Sequence, residues 1–490
     1  MNNVKSCLWG VLFLFSQTVG TASAQTNTDN WPDFPLLNIT TENGTEPTAT
    51  VVDPPEGCLG QSIISEYVTG RLVVSLKNDT QYDSGEYLKG ESGVRVKIRG
   101  NSTGAYAQQR PYKLKLSKKA DLLSFDDAYK SKDWALLPMR VWNTSMKNDE
   151  CNILLVTGLA VCRALDFPWE PRTRFVNVVL NGKYRGLYNL TETVERADNR
   201  VKTGKTGFLI ENDAYWWKEG EVWFKTTRQS PAMGYTFKYP DPDDITDTQT
   251  ADIAAYMNSV ENVVFSHQGI GDYIDCESFA RWVLAHDMLG SLDVAGSNMF
   301  LYKDSFEPAE PSASKLKMST LWDFDTCFRM ENGQWSNQHT SSVFYYPELF
   351  QNGEFVTAYK KLYAEYKDVV YPYVEQTLND IRTSDGKAFE QSRQLHRTVY
   401  ANQCPNTLDE QIDDVLVHLK SRLDALGPMI EGLSGPEASV DGIVADAESL
   451  VKRISITGYD FTGIDKQHLP AGVYVEKYSD GTVIKMIRRK

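Results

Sequence analysis

The first half of the chain alternates between hydrophobic and polar residues, as strands with one buried face do. Strict alternation runs through Val94–Arg99 and again through Tyr112–Leu116. The segment between them, Gly100–Gly104, consists of small and polar residues that favour a turn. Lys113 and Lys115 lie on the same face of the second strand, because successive side chains of a strand point to opposite faces.

A second strand pair is predicted between residues 175 and 190. Asn181-Gly182 separates the runs Phe175–Leu180 and Lys183–Leu190. Asn-Gly favours the type I′ turn that joins two antiparallel strands, so this segment is predicted to be a β-hairpin.

The second half of the chain is mainly helical in its pattern. Apolar residues recur at helical spacing in Ile153–Leu165, Ser278–Leu289, Ala358–Asp380 and Leu408–Leu426. A β-rich first part followed by a helical second part predicts an α+β protein with two lobes.

The two ends of the chain differ from this body. Residues 1–24 resemble a secretory signal peptide: a short apolar run follows Lys5, and the small residues at the Ala24-Gln25 boundary match a cleavage site. Residues 25–57 are rich in Thr, Asn and Pro and predict a flexible leader. The body is expected at residues 58–435. Residues 436–490 are expected to form a linker and a small hairpin module around Asp480-Gly481, with a sorting role and attachment to the cell surface.

The composition excludes several classes of protein. The 490 residues carry 51 Lys and Arg against 65 Asp and Glu, a formal charge of −14 that argues against a nucleic-acid groove. After signal cleavage no segment is apolar for long enough to cross a membrane, so we expect a secreted, cell-surface or periplasmic protein. Export also permits disulfides among the six remaining cysteines, although buried free thiols are an equal alternative.

Four polar residues in the second half have the spacing of a phosphoryl-transfer site. Asp293 and Asn298 are five residues apart, and Asp323 and Asp325 lie in Trp322-Asp-Phe-Asp325. Phosphoryl transfer uses one carboxylate to orient the attacking hydroxyl, and carboxylate and amide oxygens to hold the metal ions that bridge the phosphates. Asp and Asn residues that cap turns beside a core strand would give the same pattern.

The order of several motifs resembles one known family. The motifs are Arg99-Gly-Asn-Ser-Thr103, Arg110-Pro-Tyr-Lys-Leu-Lys-Leu116, Trp134-Ala-Leu-Leu137, Asn181-Gly-Lys-Tyr-Arg-Gly-Leu-Tyr-Asn-Leu-Thr-Glu192, Gly207-Phe-Leu-Ile-Glu211 and Trp322-Asp-Phe-Asp325. Together they resemble the CotH family, named for a spore coat protein, and the chain is identified as an exported bacterial member. The resemblance covers about residues 58–365. It implies an atypical protein-kinase-like fold and a kinase that uses ATP with Mg²⁺ or Mn²⁺. The expected substrate is Ser or Thr of exported proteins or of the chain itself.

The resemblance also implies roles for individual residues. Asp293 matches the catalytic Asp, Asn298 and Asp323 match metal ligands, and Asp325 is a second ligand or supports one. The nucleotide lysine is expected on the Arg110–Leu116 strand, with Lys115 preferred over Lys113 and a solvated sheet edge as the alternative. Two further residues are expected near the nucleotide: Arg99 at the phosphates, and Glu192 paired with the strand lysine or supporting the metal. The alternatives are an ordinary turn after Arg99 and a strand-end carboxylate that faces water at Glu192.

Two other function classes fit the same sequence. A CotH-like protein without catalysis would serve as a surface or adhesion protein. A carbohydrate-binding protein would use Tyr215-Trp-Trp217 and Trp223 to stack on sugars, although packing in the core or in a hairpin is the favoured explanation of these tryptophans.

Overall fold

A computed structural model describes most of the chain. The described residues are 31–139, 153–218, 222–230, 232–331, 334–335, 337 and 344–433, together with the backbone of 472–477 and 483–488. The expected signal peptide lies outside them. The chain divides into two compact units, with the boundary between residues 434 and 435.

Strands dominate the chain up to residue 192. In chain order they are β1 (Leu36–Thr41), β2 (Thr50–Val52), β3 (Ser62–Ile64), β4 (Val68–Leu76), β5 (Asp79–Asp83), β6 (Val94–Ile98), β7 (Tyr112–Ala120), β8 (Ser131–Pro138), β9 (Thr173–Leu180) and β10 (Lys183–Glu192). The helices of this part are a 3₁₀ turn (Glu42–Gly44), α1 (Ser102–Tyr106) and α2 (Ile153–Ala164).

Seven of these strands close into a barrel. Their order is β1-β9-β10-β8-β7-β6-β4, and β4 pairs again with β1 to complete the ring. All neighbouring pairs are antiparallel except β1 and β9, which are parallel. Closure matters because a closed barrel leaves no unpaired edge among its strands.

Alternating side chains fill the interior of this barrel. On β6, Val94 and Val96 are fully buried inside, whereas Arg95 and Lys97 point outward. The remaining interior is equally apolar, with Leu37, Ile39, Leu72, Val74, Leu114, Leu116, Trp134, Leu136, Val176, Val178, Leu180 and Leu190 all at 1% exposure or less. The two strands predicted at residues 94–99 and 112–116 are confirmed, together with the shared outer face of Lys113 and Lys115.

The prediction of a flexible leader over residues 25–57 is wrong where the structure describes them. Leu36–Thr41 is strand β1, which lies between β4 and β9 and buries Leu37 and Ile39 in the barrel. The Thr- and Asn-rich composition conceals this short alternation. Further along, Glu46 forms an ion pair with Arg185 at 2.6 Å, which ties this segment to β10.

The hairpin predicted at Asn181-Gly182 is confirmed. Both residues have positive φ angles, 51° and 73°, as the two central positions of a type I′ turn require. The turn joins β9 directly to β10, and these strands pair along most of their length.

The second half of the first unit combines a second sheet with helices. Its sheet has the order β12-β13-β11-β14-β15. The strands of this part are β11 (Phe208–Asp213), β12 (Trp223–Phe224), β13 (Gly234–Tyr239), β14 (Met299–Lys303), β15 (Lys317–Met318), β16 (Met330–Glu331) and β17 (Gln334–Trp335). The helices are α3 (Asp247–Ser266), α4 (Ile270–Tyr273), α5 (Cys276–Leu289), α6 (Tyr346–Leu349), α7 (Gly353–Tyr366), α8 (Val370–Val399) and α9 (Leu408–Glu431). The α+β class is therefore confirmed.

One helix prediction is wrong in its bounds. The amphipathic stretch Ala358–Asp380 is divided between α7 and α8, and residues 367–369 separate them. Pro372 lies in the first turn of α8, where its missing N–H costs no helical hydrogen bond. This proline was the local signal for a new helix start.

The second unit contains one described hairpin, formed by β18 (Gly472–Lys477) and β19 (Val483–Arg488). Its strands flank Asp480-Gly481, as the sequence pattern predicts. Among the described helices of the chain, none has the length and apolar character needed to cross a membrane. Cys58, Cys162, Cys276 and Cys327 form no disulfide, and Cys151 lies outside the described residues.

Candidate active site

A cleft of about 180 Å³ brings together residues that lie far apart in the sequence. One wall is the segment Arg99–Thr103, which follows β6 of the barrel. The opposite wall contains two loops from the second half, one with Asp293 and Asn298 and the other Trp322–Asp325. Five of the predicted site residues therefore line one cleft: Arg99, Asp293, Asn298, Asp323 and Asp325.

The loop with Asp293 follows a defined helix end. Helix α5 ends at Gly290, which has the left-handed conformation (φ 56°) that permits a sharp turn. The backbone N–H of Asp293 then donates to the Thr326 hydroxyl at 3.0 Å. Farther along, the Ser297 hydroxyl donates to Asp213 at the end of β11 at 2.5 Å. The loop is thus fixed at both ends before the chain enters β14.

The loop with Asp323 is a tight turn built on its own carboxylates. Asp323 has a positive φ of 66°, a conformation that Asp tolerates better than most residues. Its carboxylate accepts a hydrogen bond from the backbone N–H of Asp325 and shares a second one with the Asp325 side chain. Phe324, between them, is buried against Gly158 of α2. This packing holds both carboxyl groups at the cleft.

Burial raises the pKa values of the three carboxyl groups at the cleft. Surrounding protein atoms and nearby Asp323 raise the pKa of Asp293 to about 6, although its side chain is accessible from the cleft. Burial also raises the pKa of Asp323, and the hydrogen bonds from Asp325 and the charge of Arg99 oppose that effect. The pKa of Asp325 is raised well above its usual range, first by burial and then by Asp323 and Asp293. Clustered carboxylates of this kind are stabilised by a bound cation.

The donor set of the cleft fits a hard divalent cation. Asn298 is buried, and its side-chain N–H donates to the backbone oxygen of Asp293 at 3.3 Å, which leaves its amide oxygen as the acceptor. This oxygen and the carboxylates of Asp323 and Asp325 are the ligand type that Mg²⁺ and Mn²⁺ prefer. Among the described residues, no three His, Cys, Asp or Glu side chains form a ready-made metal cage. Mg²⁺ commonly keeps only one or two carboxylates and takes other ligands from phosphates and water.

Arg99 is the positive group of the cleft. Its guanidinium lies 5.7 Å from the centre of the Trp322 ring, in a cation–π contact. Burial lowers the pKa of Arg99, and the charges of Asp323 and Glu211 oppose that effect. The side chain remains charged at neutral pH, because arginine does not lose its proton in proteins.

The segment after Arg99 brings backbone N–H groups to the cleft. Gly100 has a φ of 82°, so the chain can turn sharply out of β6 into α1. At Gly104 a Cβ would lie 2.5 Å from the Arg99 carbonyl oxygen, so only glycine fits there. The first N–H groups of a helix have no partner within the helix, and in α1 they belong to residues that line the cleft.

The two candidate lysines lie on β7, outside the cleft lining. The register places Lys113 beside Lys97 and Lys115 beside Arg95. Pro111, which lines the cleft, precedes Lys113 by two residues and Lys115 by four. Lys113 is therefore closer to the cleft by about 6–7 Å along the strand, and this reverses the preference for Lys115. Its ammonium group forms an ion pair with Asp133 at 3.1 Å.

Glu192 lies elsewhere. It is fully buried and accepts from the backbone N–H of Arg172 at 2.9 Å, and the Arg200 guanidinium lies 3.5 Å from its other oxygen. The predicted pair of Glu192 with the strand lysine is wrong, because Arg172 and Arg200 are its partners, and Glu192 does not line the cleft. The strand-end position allowed two arginines to reach Glu192 from the neighbouring loops.

The aromatic residues considered for sugar binding mostly pack on protein. Trp216 lies 4.3 Å from Trp223, measured between ring centres, and its indole N–H donates to the Ala232 carbonyl oxygen at 3.3 Å. Lys225 covers the Trp216 ring at 3.9 Å. Tyr215 alone of this set lines the cleft.

Sequence reasoning missed the residues that hold the two loops in place. Thr326 receives hydrogen bonds from the loop that contains Asp293, and Asp213 receives one from Ser297. A weak signal for each was available. Thr326 directly follows Asp325, and Asp213 ends the strand that contains the Gly207–Glu211 motif.

The chain matches a known family over most of its first unit. A family model described as CotH kinase protein matches residues 96–402, more than half of the chain, from β6 to just beyond α8. It includes every residue that lines the cleft. No curated protein matches the chain.

Proposed function

Because the chain belongs to the CotH kinase protein family, we propose that it is a metal-dependent atypical protein kinase. It transfers the terminal phosphoryl group of ATP to the hydroxyl of Ser or Thr. One observation carries this proposal: Asp293, Asn298, Asp323, Asp325 and Arg99 come from separate parts of the sequence and line one cleft.

Asp293 orients the attacking hydroxyl. Its pKa of about 6 means that it is a carboxylate at neutral pH, able to accept a hydrogen bond from a Ser or Thr side chain. The loop that contains it is anchored through Thr326 and Asp213, so the carboxylate is held in position before the substrate arrives. Positioning of this kind supplies much of the catalysis in phosphoryl transfer.

Asn298, Asp323 and Asp325 are the residues that would hold Mg²⁺ or Mn²⁺. The bound ion would neutralise charge on the nucleotide phosphates. Burial and the charges of Asp323 and Asp293 raise the pKa of Asp325, and a cation held there would favour its carboxylate form.

Arg99 and the N–H groups at the start of α1 contact the phosphates from the barrel side of the cleft. Lys113 is the nucleotide lysine of this proposal, since the register brings it closer to the cleft than Lys115. In this arrangement the barrel and the helical part correspond to the two lobes of a kinase-like fold, with ATP between them.

The proposed substrate is an exported protein or the chain itself. We include export in the proposal because of the signal-like residues 1–24, and attachment to the cell surface because of the C-terminal module. The alternative is a CotH-like surface protein that keeps the cleft without turnover. The two candidates differ in one requirement, because only the kinase needs a source of ATP outside the cytoplasm.

The test is the intact mass of the purified protein after incubation with ATP and Mn²⁺. We expect mass gains of about 80 Da, one for each phosphate transferred to the chain, and none for Asp293→Ala or Asp323→Ala. Asp79→Ala is the matched control, because Asp79 is exposed on β5 and does not line the cleft. A generic Ser-containing protein is included as a second phosphate acceptor.

Two outcomes would reject the proposal. Equal mass gains in the wild type and in Asp323→Ala would mean that the cleft is not the catalytic site. No gain in the chain or the acceptor, together with no rise in melting temperature with ATP and Mn²⁺, would favour the non-catalytic surface protein.

A further inference from the structure

A second cavity, of about 320 Å³, lies beside the barrel and shares no lining residue with the cleft. It is bounded by β9, the residues just before it, α2, α8 and the loop between β7 and β8. Three arginines line it: Arg163 from α2, Arg172 just before β9, and Arg174 on β9. The hydroxyl groups of Ser124, Thr173 and Thr377 line the same space.

Each arginine is held on one side by protein. The Arg163 Nε–H donates to Glu170 at 3.0 Å. The Arg172 guanidinium stacks over the Tyr129 ring at 4.4 Å, and Arg174 donates to the Leu123 carbonyl oxygen at 2.5 Å. A guanidinium has five N–H donors, so each of these contacts uses only part of its capacity. The three side chains are therefore fixed in place with donors remaining.

Among the described residues that line this cavity there is no carboxylate. Glu170 and Glu192 hold Arg163 and Arg172 from outside the lining, and Glu192 is shared with Arg200. The acidic groups that act on Arg174 are Asp385 and Asp121. The Asp121 carboxylate already accepts hydrogen bonds from the backbone N–H groups of Leu123, Ser124 and Tyr129.

We propose that this cavity binds a phosphate monoester, carried on a protein side chain or on a small organic molecule. Planar guanidinium groups pair with phosphate oxygens through two parallel hydrogen bonds, which an isolated ammonium cannot do. The three hydroxyl groups already donate to protein acceptors, so the arginines supply the donors for the phosphate, and Val156, Leu159 and Ile381 provide an apolar wall for the carbon part of the ester. This site is independent of the proposed kinase activity, because it uses none of the cleft residues.

The test is calorimetric titration of the full-length protein in metal-free buffer. The probes are inorganic phosphate, O-phosphoserine, a phosphoserine peptide and the same peptide without phosphate. We expect the phosphorylated probes to bind and Arg163→Gln/Arg174→Gln to weaken that binding by at least about tenfold, because two charged hydrogen-bond donors are lost. Equal affinity for inorganic phosphate and the phosphoserine peptide means that the site recognises the phosphate group alone. Tighter binding of the phosphoserine peptide means that it recognises phosphorylated protein side chains.

Two matched variants locate the binding. Arg71→Gln removes an exposed barrel arginine that pairs with Asp83, and Arg99→Gln removes the arginine of the cleft. Arg71→Gln is expected to keep the wild-type affinity, and Arg99→Gln reports separately any probe that binds in the cleft. If the double variant fails to fold, Arg163→Gln alone is used, since its side chain is 42% exposed. The proposal is overturned if no phosphorylated probe binds the wild type, if the unphosphorylated peptide binds equally well, or if only Arg99→Gln loses binding.

Discussion

The side chains of Asp323 and Asp325 share a hydrogen bond, so one of the two carboxyl groups carries a proton when no cation is bound. Burial raises the pKa of Asp325 well above its usual range, and the charges of Asp323 and Asp293 and the hydrogen bond with Asp323 raise it further. The backbone N–H of Asp325 lowers the pKa of Asp323 and so favours the charged form there. The proton therefore resides mainly on Asp325, and a metal ion must displace it.

Asp325→Asn should stabilise the metal-free protein and abolish phosphoryl transfer. Because the pKa of Asp325 is raised in the folded protein, its ionisation at pH 8 lowers the free energy of unfolding. An amide removes this charge and still donates a hydrogen bond to Asp323. We expect a rise in melting temperature of about 2–4 °C at pH 8 in EDTA. The gain should vanish near pH 4, where the native carboxyl is protonated. Asp79→Asn is the exposed control, and an unchanged melting temperature at pH 8 would contradict the prediction.

Gly158→Ala should weaken both stability and activity. A Cβ at this position would lie 2.0 Å from Cδ1 of Phe324, so Phe324 and the carboxylates beside it must shift. Overpacking of this kind costs about 1–3 kcal/mol in the free energy of unfolding, measured by urea titration. Gly386→Ala in α8 is the matched control, because nothing lies within 4 Å of its added methyl group. Its free energy of unfolding should rise by about 0.5–1 kcal/mol. The same change in free energy of unfolding for both variants would argue against a tight contact at Phe324.

Lys113→Ala should weaken ATP binding about tenfold, and Lys115→Ala by less than about twofold. The difference follows from their positions along β7, because Lys113 is two residues closer to the cleft than Lys115. Equilibrium titration with a fluorescent ATP analogue measures both. The opposite order of effects would make Lys115 the nucleotide lysine.

Asp287→Ala should cost about 3–5 kcal/mol in the free energy of unfolding. Asp287 is fully buried and faces Arg422, whose nearest guanidinium nitrogen is 3.6 Å away, and it accepts a hydrogen bond from Tyr359 at 2.7 Å. Its loss leaves the Arg422 charge buried without this partner. Asp83→Ala is the comparison, because Asp83 forms an exposed ion pair with Arg71 that solvent screens, so its loss should change the free energy of unfolding much less. Similar costs for both variants in chemical denaturation would refute this account.

Stability should fall as the pH drops from about 6.5 toward 4. Burial lowers the pKa of His396 to about 4 and that of His286 to about 3, so both are neutral in the folded protein, whereas in the unfolded chain they gain protons below about 6.5. Each histidine contributes a slope of up to about 1.4 kcal/mol per pH unit, with full stability above pH 6.5. His396→Gln should reduce the slope in urea titrations between pH 7 and 4.5.

Local chemistry explains which parts of the fold the sequence predicted. The Asn181-Gly182 hairpin and the alternating strand with Val94 and Val96 depend on neighbouring residues, and both were predictable. Closure of the barrel depends on β1 meeting β4 and β9, which no short window of sequence contains. For the same reason the Thr-rich segment around Ile39 was interpreted as a leader.

The candidate site shows the same division. Spacing alone brought Asp293, Asn298, Asp323 and Asp325 under consideration, and the structure places all four at one cleft. The choice between Lys113 and Lys115 required the register of β7, because alternation puts both on one face. The partners of Glu192 could not be predicted from the sequence either, because Arg172 precedes it and Arg200 follows it in separate loops.

The parallel pairing of β1 with β9 has a consequence for the order in which the protein folds. Leu36 lies opposite Asn177, roughly 140 residues later in the chain, so the first strand to be synthesised cannot settle between its two neighbours until β9 has emerged. Such distant pairings are slow to form, because a long loop must close before any contact rewards it. Until then β4 and β9 each present an unpaired edge to other chains. A chaperone or translocation machinery that shields these edges would therefore act during the interval before the ring closes.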